Sequence, residues 1–540
     1  MTRRLDRLLP WVPALACLAA HAPVLTACLL GDRVLGGPLG HRDTLYAHRF
    51  AFDTWARAQA AWAADPFGFF IAGLWQAAAE SQALNLLDFA LLVWPARAML
   101  PVGAAFLVIH LGLLLLGPLA GAAFARALGF GPAGQCAAAL VVGASAPLRI
   151  HVDTGQYPQA LLAAPLLALV GAARAWRGER GGAVALAAGV AVCALLWWQW
   201  AVVLGVGLLA LWAGALSAGW PRGRHAAQDT GLALIFAAGM VAPAAAPVVE
   251  TLRAGAAMTE VVPWGTAYVA GSAYGAHHLV DEVPLGFLAD PAEGWLPPLP
   301  LLLLLPLGAT RGHAPWLALA AAGAALILGP EPELPGIGRV DNPVYQLVYQ
   351  WVPTAARMRH PLRYGVLWVA GLAAIAAAGA DRAWAARTRV TAAILALAAV
   401  AAVVPGPWPL RTSPLPTPLV ERLDGCDAVW APHTDGCTAA AVEGLLGRAT
   451  TPTPECPLRN VPLPDPARRA AELARVAAWS AARDEGVLPP GVCALVDVTR
   501  GVPTTWAALG DPEVVDVAAG ALTDEAGAYA VWGAPTGRSQ

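Results

Sequence analysis

The chain has almost no charge to spend on a water-facing surface. Only 13% of its 540 residues are charged, against 58% hydrophobic ones and a mean hydropathy of +0.56. An average soluble domain carries about 25% charged residues. That deficit excludes a chain made only of soluble domains. Lysine is missing altogether, so all 34 basic residues are arginine. With a net charge of −2 there is no basic field to hold nucleic acid. The 55 glycines and 47 prolines do not make the chain disordered, because disorder needs low hydrophobicity. No pair of cysteines has the CxxC spacing, which argues against a zinc ribbon. What remains is a membrane protein. The absence of lysine, with abundant Ala, Gly and Pro, fits a GC-rich bacterial genome.

A spanning helix needs about 20 apolar residues. The first apolar run, 10–30, follows Arg3, Arg4 and Arg7 and reads as a retained anchor with a cytoplasmic N-terminus. Ten further runs lie near 101–122, 134–148, 158–174, 181–197, 200–217, 231–249, 296–310, 315–329, 362–380 and 390–405. Eleven spans from an inside start leave the C-terminal part outside. Arginine placement gives the same answer. Arg126, Arg174, Arg177, Arg180, Arg222, Arg224, Arg311, Arg382, Arg387 and Arg389 fall in the loops expected to be cytoplasmic, whereas the outer loop 250–295 is acidic.

Two units follow: a mainly α, polytopic transmembrane bundle over 1–405, with a large first outer loop at 31–100, and an extracytoplasmic α/β domain over 406–540. In the second unit "GVCALVDV" and "AYAVWG" read as strands and 466–484 as an amphipathic helix. Cys426, Cys437, Cys456 and Cys493 all lie in that part and predict disulfides, given an oxidising compartment. Cys17, Cys28, Cys136 and Cys193 lie in apolar runs, where a thiol is usually small core filler.

Several motifs invite two readings. GFGPAG at 129–134 matches a dinucleotide fingerprint by letter, but it joins two membrane helices and reads as a turn. "HHLVDE" would place His278 and Glu282 on one helical face as metal ligands, or be a solvated loop helix. "WWQW" at 197–200 is a tryptophan belt or a stacking platform for a sugar. "RIHVDTGQYPQ" puts His151, Asp153 and Gln156 on a short outer turn, as a polar cap or a site.

Two stretches carry more. In "GGPLGHRDTLYAHRFAFDTWARAQ", 36–59, Asp43 opens a helical pattern. An N-cap accounts for it as well as a site does. A cap alone does not explain why His41, Arg42, His48 and Asp53 gather beside it. In "WVPTAARMRHPLRYGVLWVAG", 351–371, Arg357, Arg359, His360 and Arg363 cluster on the outer side, where the positive-inside pattern leaves arginine scarce. They suit lipid headgroups, or a phosphate held at the membrane surface.

An acidic residue soon after the first span, in a large outer loop, resembles the membrane glycosyltransferases of the C superfamily (GT-C). The stretch from Pro353 to Tyr364 is similar to their bacterial YfhO-like branch. The resemblance implies a GT-C-like bundle in the bacterial inner membrane that transfers a sugar from a polyprenyl-phosphate donor to a glycan, lipid or protein acceptor outside. Asp43 would be the base, acting directly or through a divalent cation, with Asp153 and Asp53 as the other candidate carboxylates. Arg42, His48, His151, Gln156, Arg357, Arg359, His360 and Arg363 would bind substrate. The family often pairs two acids in this loop, whereas here Asp43 is flanked by Arg42 and Thr44. A flippase of lipid-linked glycans or a non-catalytic assembly protein would share the layout. The flippase reading is disfavoured by the scarcity of charge inside the spans.

Overall fold

The computed structural model describes residues 9–30, 33–35, 60–68, 96, 99–100, 102–153, 160–196, 199–221, 225–253, 295–334, 336–352, 361–403, 412–446, 450–452, 466–519 and 521–533. Helices dominate. Among the described residues of the first 403 they include α1 (Val12–Leu30), α2 (Val102–Ala127), α3 (Pro132–Gly143), α4 (Ala146–Asp153), α5 (Ala163–Trp176), α6 (Gly182–Leu196), α7 (Gln199–Ala218), α8 (Ala226–Arg253), α9 (Leu305–Gly308), α10 (Ala314–Ile327), α11 (Pro343–Trp351) and α12 (Gly365–Val403).

Four of these are long and apolar enough to cross a membrane: Val12–Leu29, Leu107–Ala127, Gln199–Ala218 and Gly365–Val403. The pair α3–α4, bent by 45°, makes a fifth if it is one span. The chain is an integral membrane protein. The eleven expected spans are therefore not all full-length helices. The run 296–310 is a 3-10 turn, Leu299–Leu303, followed by the single turn of α9. Pro298, Pro300 and Pro306 explain this, since each removes a backbone donor that a continuous helix needs.

At 1.5 Å per residue the 39 residues of α12 would extend about 58 Å, nearly twice a bilayer core of about 30 Å. The helix breaks at Arg387, whose φ of −147° and ψ of 71° are not helical. Its two ends both lie beside α4: the Pro147 ring packs against Gly365, and Arg149 Nη2 donates to the Ala402 carbonyl at 3.0 Å. The element is thus a hairpin of two arms, matching the two apolar runs that the sequence separates at Arg382–Arg389.

The arginine-rich turns meet at one end of the bundle. Asp381 accepts from Gly131 N at 2.6 Å and Gly134 N at 2.8 Å, capping α3 from a distant helix where its own N-cap, Gly131, has no side chain. GFGPAG is accordingly the turn at 129–131 between α2 and α3, with Gly129 at φ 89°, and the first three residues of α3. Arg382 donates to Thr310 Oγ1 at 3.0 Å, Arg311 to the Ser217 carbonyl at 3.4 Å, and Arg177 lies 4.7 Å above the Trp220 ring. Burial, then the charges of Arg382 and Arg177, hold His313 below the usual imidazole range.

Helix contacts use small residues, as they do in lipid. In the α5–α6 hairpin a Cβ on Gly171, Gly182 or Gly189 would overlap the backbone at Leu186, Ala175 or Ala168. The three contacts keep one antiparallel register.

A short antiparallel pair, β2 (Glu333–Leu334) and β3 (Gly338–Arg339), precedes α11. Beyond α12 the chain forms β4 (Thr412–Pro414), α13 (Thr417–Asp424), β5 (Ala428–His433), α14 (Gly436–Leu446), β6 (Thr450–Thr451), α15 (Pro466–Asp484), β7 (Val492–Asp497), β8 (Glu513–Val517) and β9 (Gly527–Trp532). The last five strands make one sheet, ordered β6-β5-β7-β9-β8. Strands β6, β5 and β7 are parallel, while β9 is antiparallel to both β7 and β8. Alternation along the strands gives two cores. Val429, Leu495 and Val531 face one cluster with Leu419 and Val442, whereas Trp430, Ala494 and Trp532 face another with Trp479 and Trp506. Cys426 and Cys493 form a disulfide in the first. The expected disulfide partners Cys437 (its side chain) and Cys456 lie outside the described residues.

The sequence did not foretell one link. β1 (Arg33–Leu35), just after α1, pairs with β4 in an antiparallel ladder, and Val34 is buried in the first of these cores.

Candidate functional site

The end of the bundle opposite the arginine turns collects the ends of α4, α7, α10 and α12. Tyr364, buried, closes the 3-10 turn Pro361–Tyr364 that leads into α12 and meets Tyr345 edge-on, with centroids 6.4 Å apart at 84°. Tyr345 is fixed through Asn342. That side chain accepts from Val344 N and Tyr345 N at 3.1 and 3.2 Å. It donates to the Ala325 and Gly329 carbonyls at 2.6 and 2.8 Å. One buried amide thus caps the start of α11 and the end of α10 together. Gly365 packs under the Trp295 ring, and Trp368 Nε1 donates to the Trp295 carbonyl at 2.7 Å.

Arg363 is set into this scaffold. It is half-buried, and its Nη1 donates to Gln199 Oε1 at the first residue of α7. Gln199 is 3% exposed and its neighbour Trp200 1%. A guanidinium held by a buried amide is a fixed positive charge whose planar fork suits an oxyanion.

The structure therefore joins two motifs that the sequence left apart, the arginine stretch and "WWQW". The second contributes an amide, a role that neither the tryptophan-belt nor the stacking reading contains. Only the position of Gln199 at a helix start, polar among apolar neighbours, could have signalled it. A third motif is near. Pro147, against Gly365, lies on α4, which also carries His151 and Asp153. His151 is buried at 7% exposure. Of the turn expected at 149–157, residues 149–153 are instead helical, because after Pro147 no Gly or Pro interrupts them, and 154–157 lie outside the described residues. Asp153 is the last helical residue, and its side chain lies outside the described residues.

Asp43, Asp53, His41, Arg42, His48, Gln156, Arg357, Arg359 and His360 also lie outside the described residues, as do His277, His278, Asp281 and Glu282. Among the described residues no group of three His, Cys, Asp or Glu side chains is placed to hold a metal ion.

No protein-family model matches the chain, and no curated protein matches it. Among solved structures it is similar to the cryo-EM structure of the arabinofuranosyltransferase AftD from Mycobacteria, at 14% identity and a TM-score of 0.45. That match covers 99% of this chain but 40% of the other, so the chain spans well under half of AftD's length. It is also similar to apo ArnT from Cupriavidus metallidurans, at 12% identity and a TM-score of 0.39, covering 94% of this chain and 96% of that one.

Proposed function

We propose that the chain is a membrane glycosyltransferase of the GT-C kind, on its YfhO-like branch, in a bacterial inner membrane. Its N-terminus is cytoplasmic, and its C-terminal domain and site face outward. The observation that carries this reading is the Arg363–Gln199 bond: a guanidinium from the arginine stretch, anchored by a buried amide at the bundle end away from the arginine turns.

The reaction follows from charge. Asp43 takes the proton of the acceptor hydroxyl, whose oxygen bonds to the anomeric carbon as the carbon–phosphate oxygen bond breaks. The leaving group is polyprenyl phosphate, which gains negative charge on departure. Arg363, with Arg357 and Arg359, stabilises it. His360, Arg42, His48, His151 and Gln156 bind the sugar, the phosphate or the acceptor.

The test is transfer of labelled sugar from a polyprenyl-phosphate donor by membranes holding the full chain. Asp43→Asn should reduce transfer by about 100-fold or more while the protein still inserts, since the amide keeps the shape but cannot accept the proton. An N-cap would tolerate Asn with little change. Full activity in Asp43→Asn removes Asp43 as the base and moves the test to Asp153 and Asp53.

A further inference from the structure

Helix α11 falls between the apolar runs 315–329 and 362–380 and is too short to cross a bilayer. It nevertheless turns an apolar strip outward. Val344, Leu347 and Trp351 follow the i, i+3, i+7 spacing of one helical face and are 40%, 59% and 76% exposed. Tyr345 and Val348 form a second, buried side, and the exposed Gln346 and Gln350 a third. The sequence PVYQLVYQW holds no charged residue. Helix α13, of nearly the same length, does the reverse. It buries Leu419 and Leu423 and exposes Glu421 and Asp424. A helix that faces water carries polar residues away from its core, as α13 does.

Depth decides what lies against the apolar strip of α11. Arg311, just before α10, is at the arginine-rich end of the bundle, where it donates to the Ser217 carbonyl. Asn342, the N-cap of α11, is bonded to the carbonyls of Ala325 and Gly329 at the other end of α10. These lie 11 and 15 residues beyond Ala314, so at 1.5 Å per residue α11 starts about 17–22 Å from the arginine turns. An apolar slab about 30 Å thick places that start in the opposite leaflet. Even pointed straight outward, a helix of nine residues, about 14 Å long, ends among the headgroups.

We infer that α11 is an interfacial helix, whose Val344, Leu347 and Trp351 bind the acyl chains of phospholipids in the leaflet opposite the arginine turns. Tryptophan at the end of an uncharged helix suits that boundary, since its ring is apolar and its N–H can stay hydrated. One side of so short a helix is too small for a stable contact with a second copy, which needs about 800 Å² from each partner. Tyr345, on the buried side, meets Tyr364 beside Arg363, so lipid contact at α11 also holds that turn near headgroup level. The contact is independent of sugar transfer, and its test uses no activity.

The full chain is placed in phospholipid nanodiscs, one copy per disc, and exposed to hydroxyl radicals formed in the water. Trp506, 0% exposed within the C-terminal domain, sets the rate for a shielded indole. Trp351 should oxidise within about threefold of that rate, because the acyl region excludes water. Faster oxidation overturns the inference. A benzophenone amino acid in place of Leu347, and separately of Gln346, identifies what does the shielding. Both side chains are exposed, so neither replacement disturbs the core. Irradiation should give a phospholipid adduct at least fivefold more abundant from position 347 than from position 346. Equal lipid adducts from both positions, or an adduct from position 347 to another part of the same chain, overturn the inference even where Trp351 is protected. Val344, on the same strip, carries the probe if the Leu347 variant does not insert.

Discussion

Arg33 and Thr412 are clasped across 379 residues: Nε donates to Oγ1 at 2.8 Å and Nη2 to the carbonyl at 3.0 Å. The contact sits within the β1–β4 ladder, so the chain leaving α1 and the chain leaving α12 are on the same side of the bundle. An even number of crossings must therefore separate Leu30 from Val403. Cysteines introduced singly at Arg33 and Thr412 should react with a membrane-impermeant maleimide from the same side of sealed vesicles. Opposite-side labelling would break this topology. Val34→Asp should also loosen the C-terminal domain, because it places a charge in a core where Val34 is 1% exposed. Faster proteolysis of that domain is the readout.

The fold was legible in the sequence where composition and local pattern decide. The amphipathic helix 466–484 and the strands around 492–497 and 527–532 follow from hydrophobic period alone. So does the separation of two spans at Arg382–Arg389, because charge marks the turn. Full-length spans were less legible. An apolar run reports solubility in lipid, not helix continuity, and Pro298, Pro300 and Pro306 interrupt one such run while its leucines keep it apolar. The candidate site was half legible. Arg363 stood out as an arginine on the side where arginine is scarce. Gln199 and Asn342 did not, because a buried amide declares its role only through partners 164 or 17 residues away.

The Cys426–Cys493 disulfide closes a loop of 67 residues between α13 and β7, with both cysteines fully buried. A loop of that length contributes about 4 kcal/mol in the chain-entropy account. Reduction, or Cys426→Ser, should therefore lower the denaturant midpoint of the C-terminal domain markedly while leaving the helical bundle intact. Equal midpoints with and without reductant would show that the crosslink contributes nothing.

Burial and then the Arg483 charge hold His433 below the usual imidazole value of 6.5. The neutral ring is thus the folded form. As pH falls through 6.5 toward the folded value, the unfolded chain takes up a proton that the folded chain refuses, so stability falls with falling pH. The dependence ends below the folded value, where both states are protonated. Arg483→Gln should move the titration of His433 upward, part of the way to 6.5. A proton-resonance titration of the ring, assigned with His433→Asn, checks both points, and a midpoint at or above 6.5 in the native chain contradicts the argument.

The bond between Gln199 and Arg363 separates holding a charge from merely having one. Arg363→Ala removes the guanidinium, and a charge-assisted contact to phosphate is worth about 1.5–3 kcal/mol, so donor kcat/KM should fall by about 10- to 100-fold. Arg363→Lys keeps the charge but loses the planar fork, and should recover only part of that loss. Gln199→Leu leaves Arg363 in the chain and removes its anchor. If Gln199 acts by positioning, the loss should be smaller, about threefold to tenfold, and should vanish in the Arg363→Ala background, because there is then no guanidinium to position. Additive losses in the double variant would mean that Gln199 acts in some other way, such as through the packing around its buried side chain. Measuring KM for the donor separately from kcat completes the test. Losing a ground-state phosphate contact raises KM, whereas losing stabilisation of the departing phosphate lowers kcat. The proposed role of Arg363 on the leaving group requires the second pattern.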